Sequence, residues 1–155
     1  MRLDQEGIEL IEGFEGLENE AYPDPATGGE PWTIGIGHTS AAGDPEVYPG
    51  LYVSNEEAYE IFARDVTQYE DTVNRVCPGP TTQHQFNAMV SLCYNIGGGN
   101  FDGSSVDRYH NERNYPEAAN SFLLWNKANG EVMQGLTNRR EAEKLHYETP
   151  DELVA

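Results

Sequence analysis

At 155 residues with 37% hydrophobic content, the chain is long enough to bury one sizeable core, and nine Tyr, five Phe and two Trp exclude a disordered acidic tail. Twenty-seven Asp and Glu against nine Lys and Arg give a formal net charge of −18, with no basic patch able to neutralise several phosphates, so nucleic acid is excluded as a partner. No apolar run reaches membrane-span length and none follows Arg2 as in a secretory signal, so no stable membrane binding is expected; two cysteines are too few for a disulfide framework.

The first helix is expected over Leu3–Phe14, where Leu3, Gly7, Ile8, Ile11 and Phe14 share one face. Its acids Glu6, Glu9, Glu12, Glu15 and Glu18 recur at the spacing of a solvated face, so periodicity selects none of them. From Ala21 to Thr39 the sequence is dense in Gly, Pro, Thr and aromatics, the texture of turns and short strands, with Trp32–Ile36 the clearest strand. A Pro- and Gly-rich loop then leads to Ser54-Asn-Glu-Glu57, a capping box heading a helix that keeps Ala58, Phe62, Val66, Tyr69, Val73 and Val76 on one face. Thr82-Gln-His-Gln85 is a second capping box. It opens a helix with Phe86, Met89, Val90 and Cys93 inward, expected to stop at Gly97-Gly-Gly99. Shorter helices are expected at about Ser104–Glu112, Pro116–Trp125 and Thr137–Tyr147. The sum is an α+β fold with a small β-rich N-terminal lobe over about 15–53 and a linking helix over about 54–76. A larger helical lobe over about 77–148 takes in the N-terminal helix, and a cleft is expected between the lobes. Cys93 reads as a buried free thiol, with a Cys77–Cys93 bridge the less favoured alternative.

Glu15 differs from the other acids of its stripe by position. It ends the helix beside Gly16, just before the turn region that brings a second acid, Asp24, held between Pro23 and Pro25. Glycoside hydrolysis needs two carboxyls from adjacent elements, one protonated to help the sugar oxygen leave and one ionised to handle water or the developing positive charge. The Thr33 hydroxyl can hold that water. By itself the pair is a weak signal, since Asp in a Pro-Asp-Pro-Ala-Thr-Gly-Gly turn reads on its own as structural. His38, His84, His110 and His146 show no metal-ligand spacing with one another or with the cysteines. Gly35-Ile-Gly37 is too short for a nucleotide loop, and no Gly-x-Ser-x-Gly elbow is present. No cofactor and no metal are expected.

The block Phe14-Glu15-Gly16-Leu17, Ala21-Tyr22-Pro23-Asp24 and Trp32-Thr33-Ile34-Gly35-Ile36-Gly37-His38-Thr39 resembles the signature of the phage-type lysozymes, the endolysins. Similarity continues through Pro80–Gly97, Phe122–Gly130 and Gly135–Glu143, so it covers almost the whole chain. The resemblance implies a lysozyme-like fold and hydrolysis of the β-1,4 bond between N-acetylmuramic acid and N-acetylglucosamine in peptidoglycan, with inversion. Glu15 matches the catalytic acid, Asp24 the second carboxylate and Thr33 the water-positioning hydroxyl; the loop between Asp24 and Thr33 is longer than in the shortest members. His38 matches a structural histidine, with Asp65 on the long helix as its candidate partner. Arg139, or its neighbour Arg140, matches an arginine that faces the catalytic acid. Tyr22 is expected to line the sugar cleft or pack into its turn, and Asn95, near Gly97, to border the cleft or cap its helix. A monomer is the default expectation, and the same resemblance implies an enzyme that waits in the host cytoplasm for a holin-type pore. A lytic transglycosylase needs one acid only, and a non-catalytic binding module needs none, so Asp24 and Thr33 beside Glu15 argue against both.

Overall fold

The computed structural model of the protein describes residues 1–151. They form two compact units: Glu12–Gln68, and Met1–Ile11 together with the chain from Tyr69 on. Helix α1 (Gln5–Glu15) and helix α2 (Asn55–Val76) each contribute residues to both.

In the unit Glu12–Gln68, the end of α1 is dictated by Gly16, whose φ of 76° closes the helix in the left-handed region while its N–H bonds the Glu12 carbonyl at 2.7 Å. Three short antiparallel strands follow in sequence order: β1 (Glu18–Tyr22), β2 (Thr33–Gly35) and β3 (His38–Thr39). Tyr22 pairs with Thr33 and Ile34 with His38, and the register of β1 slips through a bulge between Glu18 and Tyr22. The strand expected over Trp32–Ile36 is shorter than that. Gly35 and Gly37 take φ of 64° and 78° and reverse the chain, so Ile36 lies in the turn and Trp32 precedes the ladder. The buried face of this small sheet joins Ala21 and Ile34 to Val47, Val53, Ala58 and Ile61, with Leu17, Trp32 and Leu51 packed around them. The capping box forms as its residues require: Ser54 Oγ accepts from Glu57 N–H at 3.1 Å and the Glu57 carboxylate accepts from Ser54 N–H at 3.2 Å.

The second unit is built on α3 (Gln83–Ile96), capped reciprocally by Thr82 and Gln85 and buried continuously from Gln85 to Cys93. A helix buried on every side is a central one. It packs most extensively against α7 (Gln134–Glu148) and is followed by α4 (Gly98–Phe101), α5 (Ser105–Asn111) and α6 (Tyr115–Ser121). Gly7 lets α1 approach α3: a Cβ there would stand 2.6 Å from Asn87 Oδ1 and 2.8 Å from Leu3 Cδ2.

Several boundaries differ from expectation. The glycine run ends α3 but also starts the extra helical turn α4. The helix expected over Pro116–Trp125 tightens to a 3₁₀ turn at Phe122–Leu124, and α7 starts at Gln134 rather than Thr137. Strands β4 (Lys127–Ala128) and β5 (Glu131–Val132) form an unforeseen hairpin, turned by Asn129 and Gly130 at φ of 52° and 79°. Cys77 and Cys93 are both free and buried, so the alternative bridge does not form, and burial pushes both thiols up to about 12.

Candidate active site

Glu15, Tyr22, Asp24 and Thr33 all belong to the unit Glu12–Gln68. Glu15 is half-buried on the last residue of α1, where the left-handed Gly16 turns the chain into β1. At the other end of β1, Tyr22 stands opposite Thr33 on β2, so the two strands set Thr33 beside the stretch that leads into Asp24. Burial raises the Tyr22 phenol, and the negative charges of Glu15 and Glu18 raise it further.

Asp24 is fixed by its own turn. Its carboxylate accepts from Ala26 N–H at 2.8 Å, its carbonyl accepts from Thr27 and Gly28 N–H at 3.2 and 2.7 Å, and its N–H donates to the Gly29 carbonyl at 3.0 Å. That is the self-bonded turn that Asp favours, and it leaves the side chain half-buried. Thr33 Oγ1 lies 3.5 Å from the Pro31 carbonyl, a long contact that spends little of its capacity. The unit thus offers two half-buried carboxyls and a hydroxyl on adjoining elements.

His38 lies on β3, beside β2 in the same sheet. Its Nδ1 is 2.6 Å from Asp65 Oδ2 and its Nε2 is 2.8 Å from the Pro45 carbonyl, with the ring only 1% exposed. Both ring nitrogens face acceptor oxygens, an arrangement that favours the protonated ring. Burial opposes that charge, but the Asp65 and Pro45 hydrogen bonds outweigh it and hold the pKa above its ordinary 6.5. Because His38 pairs with Ile34, this pair braces the strand that carries Thr33.

In the other unit, Arg139 and Arg140 converge on Glu143. Arg139 Nε is 3.2 Å from Glu143 Oε2 and Arg140 Nε 2.6 Å from Oε1, while Ser91 on α3 donates its hydroxyl to Oε2 at 2.5 Å. Glu143 and Arg140 are fully buried and Arg139 nearly so. Burial pushes the Glu143 carboxyl up, and the two guanidiniums and Ser91 pull it back. Sequence reading missed Glu143; the available signals were its spacing from both arginines and a serine in the middle of an apolar helix. Asn95 lies exposed on the last turn of α3.

The sequence profile described as phage lysozyme matches residues 12–143. The chain is 37% identical over 147 residues to the endolysin of Salmonella phage P22, covering 95% of this chain and 98% of that one. It is 40% identical over 149 residues to the endolysin of Bacillus phage B103, covering 96% of this chain but only 55% of that relative. The chain thus spans about half the length of the Bacillus phage relatives that it matches. The solved endolysin from Escherichia coli O157:H7 phage FAHEc1 superposes with a TM-score of 0.87 at 36% identity, covering 96% of this chain and 94% of that one. With that profile spanning most of its length and a full-length relative above 30% identity, the chain belongs to the phage lysozyme family.

Proposed function

We propose that this chain is an endolysin-type muramidase that hydrolyses the β-1,4 bond between N-acetylmuramic acid and N-acetylglucosamine in bacterial peptidoglycan. The observation that carries the reading is the grouping of Glu15, Asp24 and Thr33 on adjoining elements of one unit, inside the residues matched by the family. Support also comes from relatives named as endolysins.

Glu15 gives its proton to the glycosidic oxygen as the C–O bond breaks, and positive charge spreads over the anomeric carbon and ring oxygen. The Asp24 carboxylate and the Thr33 hydroxyl hold a water on the opposite face. Asp24 takes its proton as the oxygen bonds to the anomeric carbon, and the configuration inverts. Tyr22 lines the saccharide beside the acid. His38 with Asp65 acts through β2 and β3 as a brace for Thr33.

The protein acts as a monomer and needs no metal for this step. No helix among the described residues is long and apolar enough to cross a membrane. In the phage cycle, the enzyme is held in the host cytoplasm and reaches the wall through a holin-type pore. Mass spectrometry of muropeptides released from purified wall tests the reaction. Reducing ends carrying one added water are expected, and anhydro-sugar ends would replace hydrolysis with transglycosylation.

A further inference from the structure

Residues that show no ligand spacing in the sequence are gathered by the fold at a place that uses none of the groups assigned to hydrolysis. Glu6 lies in the first turn of α1, His84 near the start of α3 and His146 near the end of α7. One ligand atom from each falls within 4.8 Å of the other two. We propose that Glu6, His84 and His146 bind a divalent transition-metal ion of the zinc class, which ties the first turn of α1 to α3 and α7.

Zinc bonds to imidazole nitrogen and carboxylate oxygen at about 2.0–2.1 Å, so ligand atoms around a tetrahedral ion stand about 3.3 Å apart. His84 Nε2 and Glu6 Oε2 are already 2.7 Å apart, and the two imidazoles meet edge to face with ring centroids 4.8 Å apart. The remaining adjustment falls mainly on Glu6, whose side chain is 61% exposed and can move without disturbing the core. Three protein ligands leave at least one position to water.

The surroundings hold the His84 ring from behind. Asp151 Oδ1 stands 3.1 Å from His84 Nδ1, and the same carboxylate accepts from the N–H groups of Gln83 and His84 at 3.0 and 3.2 Å. His84 Nδ1 is buried and lacks an aligned hydrogen bond among the described residues; a metal on Nε2 polarises the ring and strengthens the pull of Asp151 on that N–H. Beside His146, the buried Asn87 donates from Nδ2 to Asp4 at 2.8 Å and toward His146 Nε2 at 3.2 Å, and its Oδ1 accepts from Gln83 at 2.8 Å. Asp4, Glu6 and Asp151 supply negative charge around two nitrogens, a mixed nitrogen and oxygen set that favours zinc over magnesium or calcium.

The other nitrogen and sulfur ligands are committed elsewhere. His38 is bound on both ring nitrogens, His110 sits between the Tyr147 hydroxyl at 2.7 Å and Thr81 Oγ1 at 2.9 Å, and both thiols are buried. Specific zinc binding to the folded chain should therefore depend on this triad.

The test is titration calorimetry of the folded chain with zinc chloride, paired with thermal unfolding in zinc and in magnesium. One saturable zinc site is expected, and zinc at a hundredfold excess over Kd should raise Tm by about 5 °C or more while magnesium leaves it unchanged. Glu6→Gln and His146→Ala should each weaken zinc binding by about tenfold or more. Because Glu6 is exposed, Glu6→Gln should keep the metal-free Tm of the parent, so its loss of affinity reads the site and not the fold. Absence of saturable binding, binding unchanged in both variants, or an equal response to magnesium would overturn the proposal.

Discussion

Glu15 and Asp24 are half-buried, and backbone features flank both: a left-handed glycine beyond one, a self-bonded turn around the other, and the short strand β1 between them. Glu143, in the helical unit, is fully buried and is held by side chains alone, two guanidiniums and a serine hydroxyl. A carboxyl that must meet substrate and exchange a proton needs an open face, and backbone can aim it without covering it. A carboxyl that fixes helices can be closed off completely, provided that every charge is answered. Activity and stability should accordingly separate between the two regions.

The sharpest way to break the comparison is Glu15→Gln, which keeps size and polarity but cannot donate a carboxylic proton. Lysis of permeabilised cells, followed by turbidity, should fall by about 10²–10⁴-fold with the circular dichroism spectrum unchanged. Glu12→Gln and Glu18→Gln should lyse near the parent rate, and a reversal among the three would move the acid along the stripe. Next in size is Glu143→Gln, which leaves Arg139 and Arg140 buried beside a neutral amide. Urea unfolding should show a loss of about 3–5 kcal/mol, and a change under 1 kcal/mol would mean that water already solvates this centre.

His38 and Asp65 give the β-containing unit a buried pair of its own, with a testable pH signature. The His38 pKa is raised above its ordinary 6.5, so the stability it contributes is full below 6.5 and is lost as pH rises through the raised value. Asp65→Asn should cost about 3 kcal/mol at pH 6, and the gap between parent and variant should narrow by pH 9. A gap that stays constant or widens would make His38 neutral in the folded protein.

The smallest effects come from two glycines of one helix. Gly7→Ala drives a Cβ to within 2.6 Å of Asn87 Oδ1, and overpacking of about 1–3 kcal/mol should outweigh the gain in helix propensity. Gly13→Ala meets nothing within 4 Å and should stabilise by about 0.5–1 kcal/mol. Thermal melts of the two variants should move in opposite directions.

How much the sequence disclosed follows from the range of each interaction. The capping boxes at Ser54 and Thr82 were legible because donor and acceptor lie within one turn, and both form. Glu15, Asp24 and Thr33 are grouped by family resemblance; the local signals beside them, Gly16, Pro23 and Gly35, mark their elements but make the pair of acids only a weak signal by themselves. Family resemblance marks His38 as structural and Asp65 is its candidate partner on the long helix; the two stand 2.6 Å apart, although periodicity alone joins no strand residue to one helix residue. The Ser91–Glu143 contact and the Glu6, His84 and His146 cluster join distant segments, which no local pattern reports. The hairpin at Asn129-Gly130 had its turn signal, but its strands are two residues each and exposed, too short to show alternation.

The most direct test of the central claim is the configuration of the first product. If Glu15 protonates the leaving oxygen while Asp24 and Thr33 hold water on the far face, proton NMR of a cleaved soluble glycan should show the new reducing end first as the α-anomer, with the β-anomer appearing only as it mutarotates. A β-anomer at the earliest time points would contradict the account and make Asp24 a nucleophile.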